Sequence, residues 1–208
     1  MFSPQKYIIM KEVCPNMILT LFFEKFNILK NEICGINTSY LETLRSNGLF
    51  SDKYKEYKIS YNYHDYILKC PIVKTSINSY ETSVLLPSFK LPRRKYPVFI
   101  YLYAVALYLS LEISMRKVAA LVCKRFGLKN FSHSTISRSL KKLTQNLEFI
   151  LKCSTSGIHS MSVRNEEPSL NRRATLLDAL IPVLSDPLDC GNTLAYEFFS
   201  ESCGNFII

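Results

Sequence analysis

The stretch ISMRKVAALVCKRFGLKNFSHSTISRSLKKL, residues 113 to 143, carries the strongest structural signal in this chain of 208 residues. Two amphipathic segments follow one another in it, and a serine precedes each of them. Ser114 and Ser132 are predicted to cap two helices, because a serine hydroxyl accepts a hydrogen bond from a backbone N–H of the first turn. Gly127 is predicted to end the first helix in the left-handed conformation, which glycine adopts without strain. The stretch therefore predicts two helices joined by a turn.

The first of these helices has one apolar face. Ile113 and Val118 occupy the two positions of a hydrophobic staple around the predicted cap. Val118, Leu121 and Val122 then follow helical spacing, and Arg125 lies where the apolar stripe ends. This face is predicted to pack against the other helices.

The second helix is predicted to run from residue 132 to about residue 151, with two opposite faces. Its apolar residues recur at steps of four and three, as on one side of an α-helix: Ile136, Leu140, Leu143, Leu147 and Ile150. The opposite line carries Ser134, Arg138, Lys141 and Gln145. A helix that reads DNA needs this division, with one face packed on its supports and the other offering hydroxyls and long cations to bases and phosphates.

A strongly apolar segment precedes this pair of helices. VFIYLYAVALYLSL, residues 98 to 111, has no charged residue, but its 14 residues are too few to span a membrane. It is therefore predicted to be a buried helix. Residues 97–152 as a whole are predicted to form a three-helix unit.

The positive charge of the chain is concentrated in one segment. The net charge is +9, yet residues 90–152 hold 13 basic and 2 acidic residues, while the rest of the chain holds 13 basic and 15 acidic residues. Such an asymmetry is typical of proteins that bind a polyanion, either nucleic acid or an anionic membrane surface. A basic domain that faces only solvent is the alternative.

Residues 85–96, LLPSFKLPRRKY, are predicted to be a linker, because two prolines disfavour regular structure. Arg93, Arg94 and Lys95 form a basic arm within it, directly before the apolar helix. In some DNA-binding proteins such an arm reaches phosphates or the minor groove. A solvated linker explains the same residues.

The regions on either side carry weaker signals. Residues 51–84 are rich in tyrosine with strand-like alternation, which predicts an antiparallel hairpin. Residues 39–46 are predicted to form a short helix closed by Asn47-Gly48, and residues 17–29 are apolar enough for either helix or strand. Residues 154–173 are predicted to be a flexible linker and residues 174–184 a short helix interrupted at Pro182. The last twenty residues give no signal.

The seven cysteines are widely spaced, and no pair forms C-x-x-C. The N-terminal residues lack the pattern of a secretory signal, with charged residues soon after the apolar run and no small-residue cleavage site. We therefore expect reduced, mostly buried thiols and a cytoplasmic location.

The two quoted segments together resemble a known family. LLPSFKLPRRKYPVFI at residues 85–100, followed by the stretch at 113–143, resembles the zinc-ribbon plus helix-turn-helix proteins of bacterial mobile elements, which are related to transposases. The resemblance covers roughly residues 65–145, with a weaker similarity at Cys14-Pro15. It implies an N-terminal zinc ribbon followed by a helical DNA-binding part. The turn here is longer than in the compact motif, with nine residues from Gly127 to Ile136 instead of about six.

The zinc ligands that the resemblance implies are largely lost. Met17 stands where the second ligand of the Cys14 knuckle is expected, and the second knuckle falls near Ser76 and Ser79. Serine does not replace thiolate in a tetrahedral zinc site. A regrouped site from Cys14, Cys34, Cys70 and His64 has no supporting spacing. No metal is expected.

Catalytic signatures are also missing. After residue 152 only 56 residues remain, and their carboxylates show no pattern that would gather three of them around two metal ions. The chain has no glycine-rich phosphate loop and no G-x-S-x-G, and its three histidines lie in no nucleophile motif. It is predicted to be neither an enzyme nor a cofactor-binding protein.

These observations predict an α+β chain in four parts: a mixed, degenerate zinc-ribbon-like region at 1–84 with a β-hairpin, a basic linker at 85–96, a helix-turn-helix DNA-binding domain at 97–152, and a C-terminal extension at 153–208. Double-stranded DNA is the predicted partner, with no membrane. The predicted contact residues are Arg93, Arg94, Lys95, Arg116, Lys117, His133, Ser134, Thr135, Ser137, Arg138, Lys141 and Lys142.

Within that set, the arm residues with Arg138, Lys141 and Lys142 are predicted to contact phosphates. His133 is predicted to donate to a phosphate as well. The hydroxyls of the second helix, together with Arg138, are predicted to approach base edges. A non-catalytic module that binds an acidic protein, or an inactive mobile-element remnant, remains the alternative.

Overall fold

The computed structural model describes residues 8–11, 18–22, 38–74, 77, 80–155, 170–201 and 207–208. Within these ranges the chain forms five strands and seven helices, so the predicted α+β class is confirmed. The strands are β1 (Ile8–Lys11), β2 (Ile18–Phe22), β3 (Phe50–Tyr61), β4 (His64–Lys74) and β5 (Thr82–Pro87). The helices are α1 (Thr38–Ser46), α2 (Val98–Ser110), α3 (Met115–Phe126), α4 (His133–Gln145), α5 (Leu147–Thr155), α6 (Leu170–Ser185) and α7 (Pro187–Glu201).

The five described strands form one sheet in the order β1-β2-β5-β4-β3. The predicted hairpin is confirmed: β3 and β4 pair antiparallel, with Tyr61 opposite His64 next to the turn. Strand β4 is also antiparallel to β5, whereas β2 runs parallel to β5 and antiparallel to β1. Along β3, Ile59 faces the core while Lys58 is exposed, so the hairpin has one buried and one solvated face.

Two N-terminal predictions fall partly on described residues. The short helix is confirmed as α1, and Gly48 follows it with φ +67°. In the apolar run at 17–29, residues 18–22 form a strand, and the remainder lies outside the described ranges.

Helix α2 lies at the centre of the protein. All nine residues from Val98 to Ala106 are buried, which confirms the predicted buried helix. It packs against α3, α4, α6 and α7. In the part of the chain that the structure describes, no helix is long and apolar enough to cross a membrane.

The C-terminal region is more regular than predicted. Helix α6 continues through Pro182 instead of being interrupted there, and the last twenty residues contain most of α7. Helix α7 begins with Pro187, a position where the missing N–H of proline costs no hydrogen bond. The Ser88 hydroxyl, before α2, donates to Asn192 of α7 at 2.5 Å. The C-terminal helices therefore share one core with α2.

The predicted single helix from 132 to about 151 is wrong. Helix α4 ends at Gln145, Asn146 interrupts it, and α5 begins at Leu147. The Asn146 side chain donates to the Ile207 carbonyl at 3.3 Å, so the break is stabilised from the far end of the chain. The apolar spacing continues across the break, which explains why the sequence reads as one helix.

The predicted linker at 85–96 is also wrong in its first half. Residues 85–87 complete β5, and residues 83–91 are all buried. Pro87 is compatible with the strand because it is its last residue. Even Lys90 is only 2% exposed. The segment is a structural element under the helices, and only its basic end reaches solvent.

Candidate nucleic-acid interface

The three predicted helix-terminus residues are confirmed. The Ser114 hydroxyl accepts from the Lys117 N–H at 3.4 Å, and the Ser132 hydroxyl accepts from the Thr135 N–H at 3.2 Å. Gly127 ends α3 in the left-handed conformation, with φ +58° and ψ 50°. Local capping chemistry therefore sets where α3 ends and α4 begins.

The buried face of α3 differs from the predicted stripe. Val118 and Val122 are buried as expected, but Leu121 is 44% exposed. Phe126 is buried instead, with its ring 5.1 Å from that of Tyr103 in α2. The face turns toward Phe126 because α3 packs on both α2 and the hairpin.

Helix α4 has the two faces that the sequence predicts. Ile136 and Leu143 are fully buried, and Leu140 is half-buried against the core. Ser139 is also buried, which the apolar spacing did not indicate. The four residues on the opposite line are all exposed: Ser134, Arg138, Lys141 and Gln145.

Hydroxyl groups cluster at the start of α4. The Ser132 hydroxyl lies 2.8 Å from that of Ser134 and 2.9 Å from that of Thr135. The Arg138 Nε donates to the Ser134 carbonyl at 3.3 Å, which holds the guanidinium back along the helix. Ser134 and Thr135 therefore already support the cap, and Ser137 is the hydroxyl more available for a ligand.

We expect Ser132→Ala to lower the free energy of unfolding by about 1 kcal/mol, because it removes the cap of α4. Urea denaturation followed by far-UV circular dichroism measures the change. Ser137→Ala, an exposed hydroxyl in the middle of the same helix, is the matched control and should change stability by less than about 0.5 kcal/mol. Equal effects of the two variants would contradict the capping role.

The basic arm is held at three points rather than free to extend. The buried ammonium of Lys90 donates to the carbonyls of Leu91, at 2.9 Å, and of Arg94. The Ser60 N–H of β3 donates to the Lys95 carbonyl at 2.9 Å. The Tyr96 hydroxyl donates to Asn130 in the turn between α3 and α4. The arm is thus part of the folded surface.

This anchoring places the arm next to α4. The Arg94 guanidinium lies 5.6 Å from the centre of the Tyr101 ring. Burial raises the pKa of Tyr101, and the backbone hydrogen bond with Tyr96 and the charges of Arg94 and, more weakly, Arg138 partly oppose this shift. Arg93 and Lys95 are exposed on the same segment. The fold therefore brings the predicted arm and the predicted helix face together.

A second group of cations was missed by sequence reasoning. The pKa of Asp65 is lowered, first by a hydrogen bond from the Ser60 hydroxyl and then by the charges of Lys129, Lys95 and Lys58. These three lysines come from the α3–α4 turn, the arm and β3, and all are exposed. Only Lys95 was predicted, because no local pattern connects the other two with it.

The β3–β4 turn contacts the turn between α3 and α4 through its backbone. The Asn62 N–H donates to the Phe126 carbonyl at 2.9 Å, and the Tyr63 N–H donates to the Gly127 carbonyl. A Cβ atom on Gly127 would lie 2.7 Å from the Cα atom of Asn62. The glycine therefore permits both the helix end and this close approach.

The remaining predicted contact residues are exposed. His133, Ser137 and Lys142 lie on the surface of α4. Arg116 and Lys117 are exposed in the first turn of α3. At 1.5 Å per residue they lie roughly 15 Å from Gly127, at the end of α3 away from the arm. They are not part of the cluster around Lys129.

The described cysteines are spread over the fold and do not form a cluster. Of the four cysteines that the structure describes, Cys70 and Cys153 are buried and Cys123 and Cys190 are half-buried, and none of the four is in a disulfide. Among the described residues no three His, Cys, Asp or Glu side chains lie close enough to hold a metal ion. The Cys14 knuckle, Cys34, and the positions of Ser76 and Ser79 fall outside the described ranges.

Comparison with protein-family models, curated proteins and solved structures finds no match to this chain.

Proposed function

We propose that the protein binds double-stranded DNA, with α3 and α4 acting as a helix-turn-helix and α4 as the helix that enters the major groove. In this proposal Arg138, Lys141, Lys142 and the arm residues Arg93–Lys95 bind phosphates, and Ser137 and Arg138 approach base edges at a specific site. No catalytic step is proposed. The relation to transposases of mobile elements stays a prediction, and the proposed binding does not depend on it.

The single observation that supports this proposal most is the meeting of two remote basic elements on one surface. Arg94 and Arg138 are 44 positions apart in the chain, yet the charges of both act on Tyr101, and the Arg94 guanidinium lies 5.6 Å from the centre of its ring. The side of α4 that faces away from the core carries three cations and no acidic residue. A solvated helix face alone needs no second basic element beside it. A polyanion with regularly spaced phosphates accounts for both.

A salt titration with a random-sequence DNA duplex tests the proposal. Binding through several phosphates predicts that the association constant falls steeply and linearly on a log–log plot against salt concentration. The double variant Arg138→Ala, Lys142→Ala removes two exposed cations from α4. We expect it to weaken binding about 50-fold at about 0.1 M salt and to make the slope shallower by about 1.8.

The matched control removes two exposed lysines from the other end of the hairpin, Lys53→Ala with Lys74→Ala. The net charge is the same as in the α4 variant, so a change of overall charge alone would affect both equally. We expect the control to retain most of the affinity. Absence of binding by the unmodified protein at about 50 mM salt, or equal losses in the two variants, would overturn the proposal.

A surface for an acidic protein is the second candidate, because the same exposed cations would serve it. Competition distinguishes the two candidates. If the surface binds an acidic protein, a poly-glutamate chain should compete with a labelled duplex as effectively as an unlabelled duplex of equal charge does. Preferential binding of the duplex at equal charge supports DNA, because poly-glutamate lacks the groove and the fixed phosphate spacing.

A further inference from the structure

The end of the β3–β4 hairpin next to its turn is attached to the proposed DNA-binding elements at two places. At residues 62–63 its backbone donates to the carbonyls of Phe126 and Gly127, immediately before α4. At Ser60 its outer edge donates to the Lys95 carbonyl in the arm. A hairpin held at both sites has a fixed position relative to α4 and does not move as an independent loop.

Lys58 lies on the solvated face of this hairpin. It is two residues from Ser60 on the same face of β3, a separation of about 7 Å along the strand. Ser60 in turn lies directly opposite Asp65 in the register and hydrogen-bonds to its carboxylate. The backbone contacts of Ser60 with Lys95 and of Tyr63 with Gly127 bring the arm and the α3–α4 turn to this end of the hairpin. The charges of Lys58, Lys95 and Lys129 all act on the Asp65 carboxylate, so three exposed cations accompany one anion here.

We propose that the end of the hairpin is a second phosphate-binding element, in which Lys58, Lys95 and Lys129 contact the DNA backbone beside the groove that α4 enters. Asp65 opposes this contact, since a carboxylate repels phosphate, and it limits the affinity of the site. This inference rests on the proposed DNA binding. It adds the end of the hairpin as a second contact with DNA, and Asp65 as a group that lowers the affinity.

Two substitutions with opposite expected effects test the inference on the full chain. Lys58→Ala should weaken binding of a random duplex about fivefold to tenfold at about 0.1 M salt and reduce the salt slope by about 0.9, the value of one phosphate contact. Asp65→Asn retains an oxygen that can accept from Ser60 but removes the negative charge. It should tighten binding roughly threefold, because a nearby repulsive charge is lost.

Each substitution has a control of the same charge. Lys53→Ala removes an exposed lysine of β3 about 17 Å from Lys58, which exceeds the screening length at this salt concentration. Glu42→Gln removes an exposed carboxylate from α1. Both controls should leave the affinity and the slope within about twofold of the unmodified protein.

The outcomes separate this inference from the proposed function. If Arg138→Ala with Lys142→Ala weakens binding while Lys58→Ala and Asp65→Asn leave it unchanged, the hairpin inference is wrong and DNA binding by α4 stands. If the unmodified protein binds no duplex, both are wrong. If Lys58→Ala weakens binding and Asp65→Asn tightens it, the hairpin contact is supported. A loss of stability could weaken binding, but it could not produce the tightening expected for Asp65→Asn.

Discussion

Gly127→Ala should be the most destabilising single methyl addition at the α3–α4 turn, with an expected loss of about 4 kcal/mol in the free energy of unfolding. Part of the loss is backbone strain, since Gly127 has φ +58° and an L-residue in that region costs about 1–2 kcal/mol. The rest comes from the new Cβ atom, which would lie 2.7 Å from the Asn62 Cα and 2.9 Å from a carbon of the Tyr63 ring.

The contact at the new Cβ atom is strongly destabilising because the nearest atom, the Asn62 Cα, belongs to the backbone. The β3–β4 turn must move away, and this movement weakens the two hydrogen bonds to Phe126 and Gly127, each worth about 1 kcal/mol. A loss of this size is a large fraction of the usual stability of a domain, which is about 5–15 kcal/mol. Urea denaturation followed by circular dichroism measures it.

Gly48→Ala is the matched control for the strain alone. Gly48 has φ +67°, but nothing lies within 4 Å of the position of its Cβ. The control should therefore lose only about 1 kcal/mol. The difference between the two variants measures the close approach of the hairpin to the α3–α4 turn, and equal losses would show that this approach contributes no stability.

The correct predictions from the sequence rest on interactions between residues close in the chain. The caps at Ser114 and Ser132 and the end of α3 at Gly127 depend on four or five successive residues. The exposed line of α4 follows from its period of 3.6 residues. The β3–β4 hairpin was recognisable because alternation over two adjacent strands is also local.

The wrong predictions concern contacts between distant segments. The helix is interrupted at Asn146, whose side chain donates to the Ile207 carbonyl. No residue near 146 in the sequence indicates this partner. The prolines of the segment at 85–96 predict a linker, although its first half completes a strand inside the core. Lys58 and Lys129 were missed for the same reason, since their common neighbour, Asp65, comes together with them only in the fold.

Lys90 is the clearest example of a residue whose role depends on the fold, and it has a measurable consequence. Its ammonium group is buried under the arm, donates to the carbonyls of Leu91 and Arg94, and lies 5.8 Å from the centre of the Tyr57 ring. Burial lowers the pKa of Lys90 to about 8, and the neighbouring Cys70 partly opposes this shift. An exposed lysine has a pKa of about 10.4.

The direction of the resulting pH dependence follows from proton binding. Below about pH 8 the folded and the unfolded chain both carry a protonated Lys90, so this residue adds no pH dependence. Between about pH 8 and 10.5 only the unfolded chain retains the proton. Unfolding then takes up a proton, and a rise in pH therefore stabilises the folded state through Lys90.

Other groups titrate in the same range with the opposite sign. Burial raises the pKa of Cys123 and of Cys190, so their unfolded thiols lose protons first as the pH rises, which destabilises the fold. The comparison must therefore be between the unmodified protein and Lys90→Met, which share these cysteines. Lys53→Met, at an exposed position, controls for the loss of a lysine.

We expect the difference in unfolding free energy between the unmodified protein and Lys90→Met to be constant from about pH 6.5 to 7.5. It should then shift in favour of the unmodified protein by about 1.6 kcal/mol between about pH 8 and 9.5, since each pKa unit corresponds to 1.36 kcal/mol and the folded state is half deprotonated at about pH 8. Urea denaturation at each pH gives the values. A difference that stays flat to pH 9.5, as expected for Lys53→Met, would mean that Lys90 does not lose its proton in the folded protein. The arm would then be held by a charged lysine throughout this range.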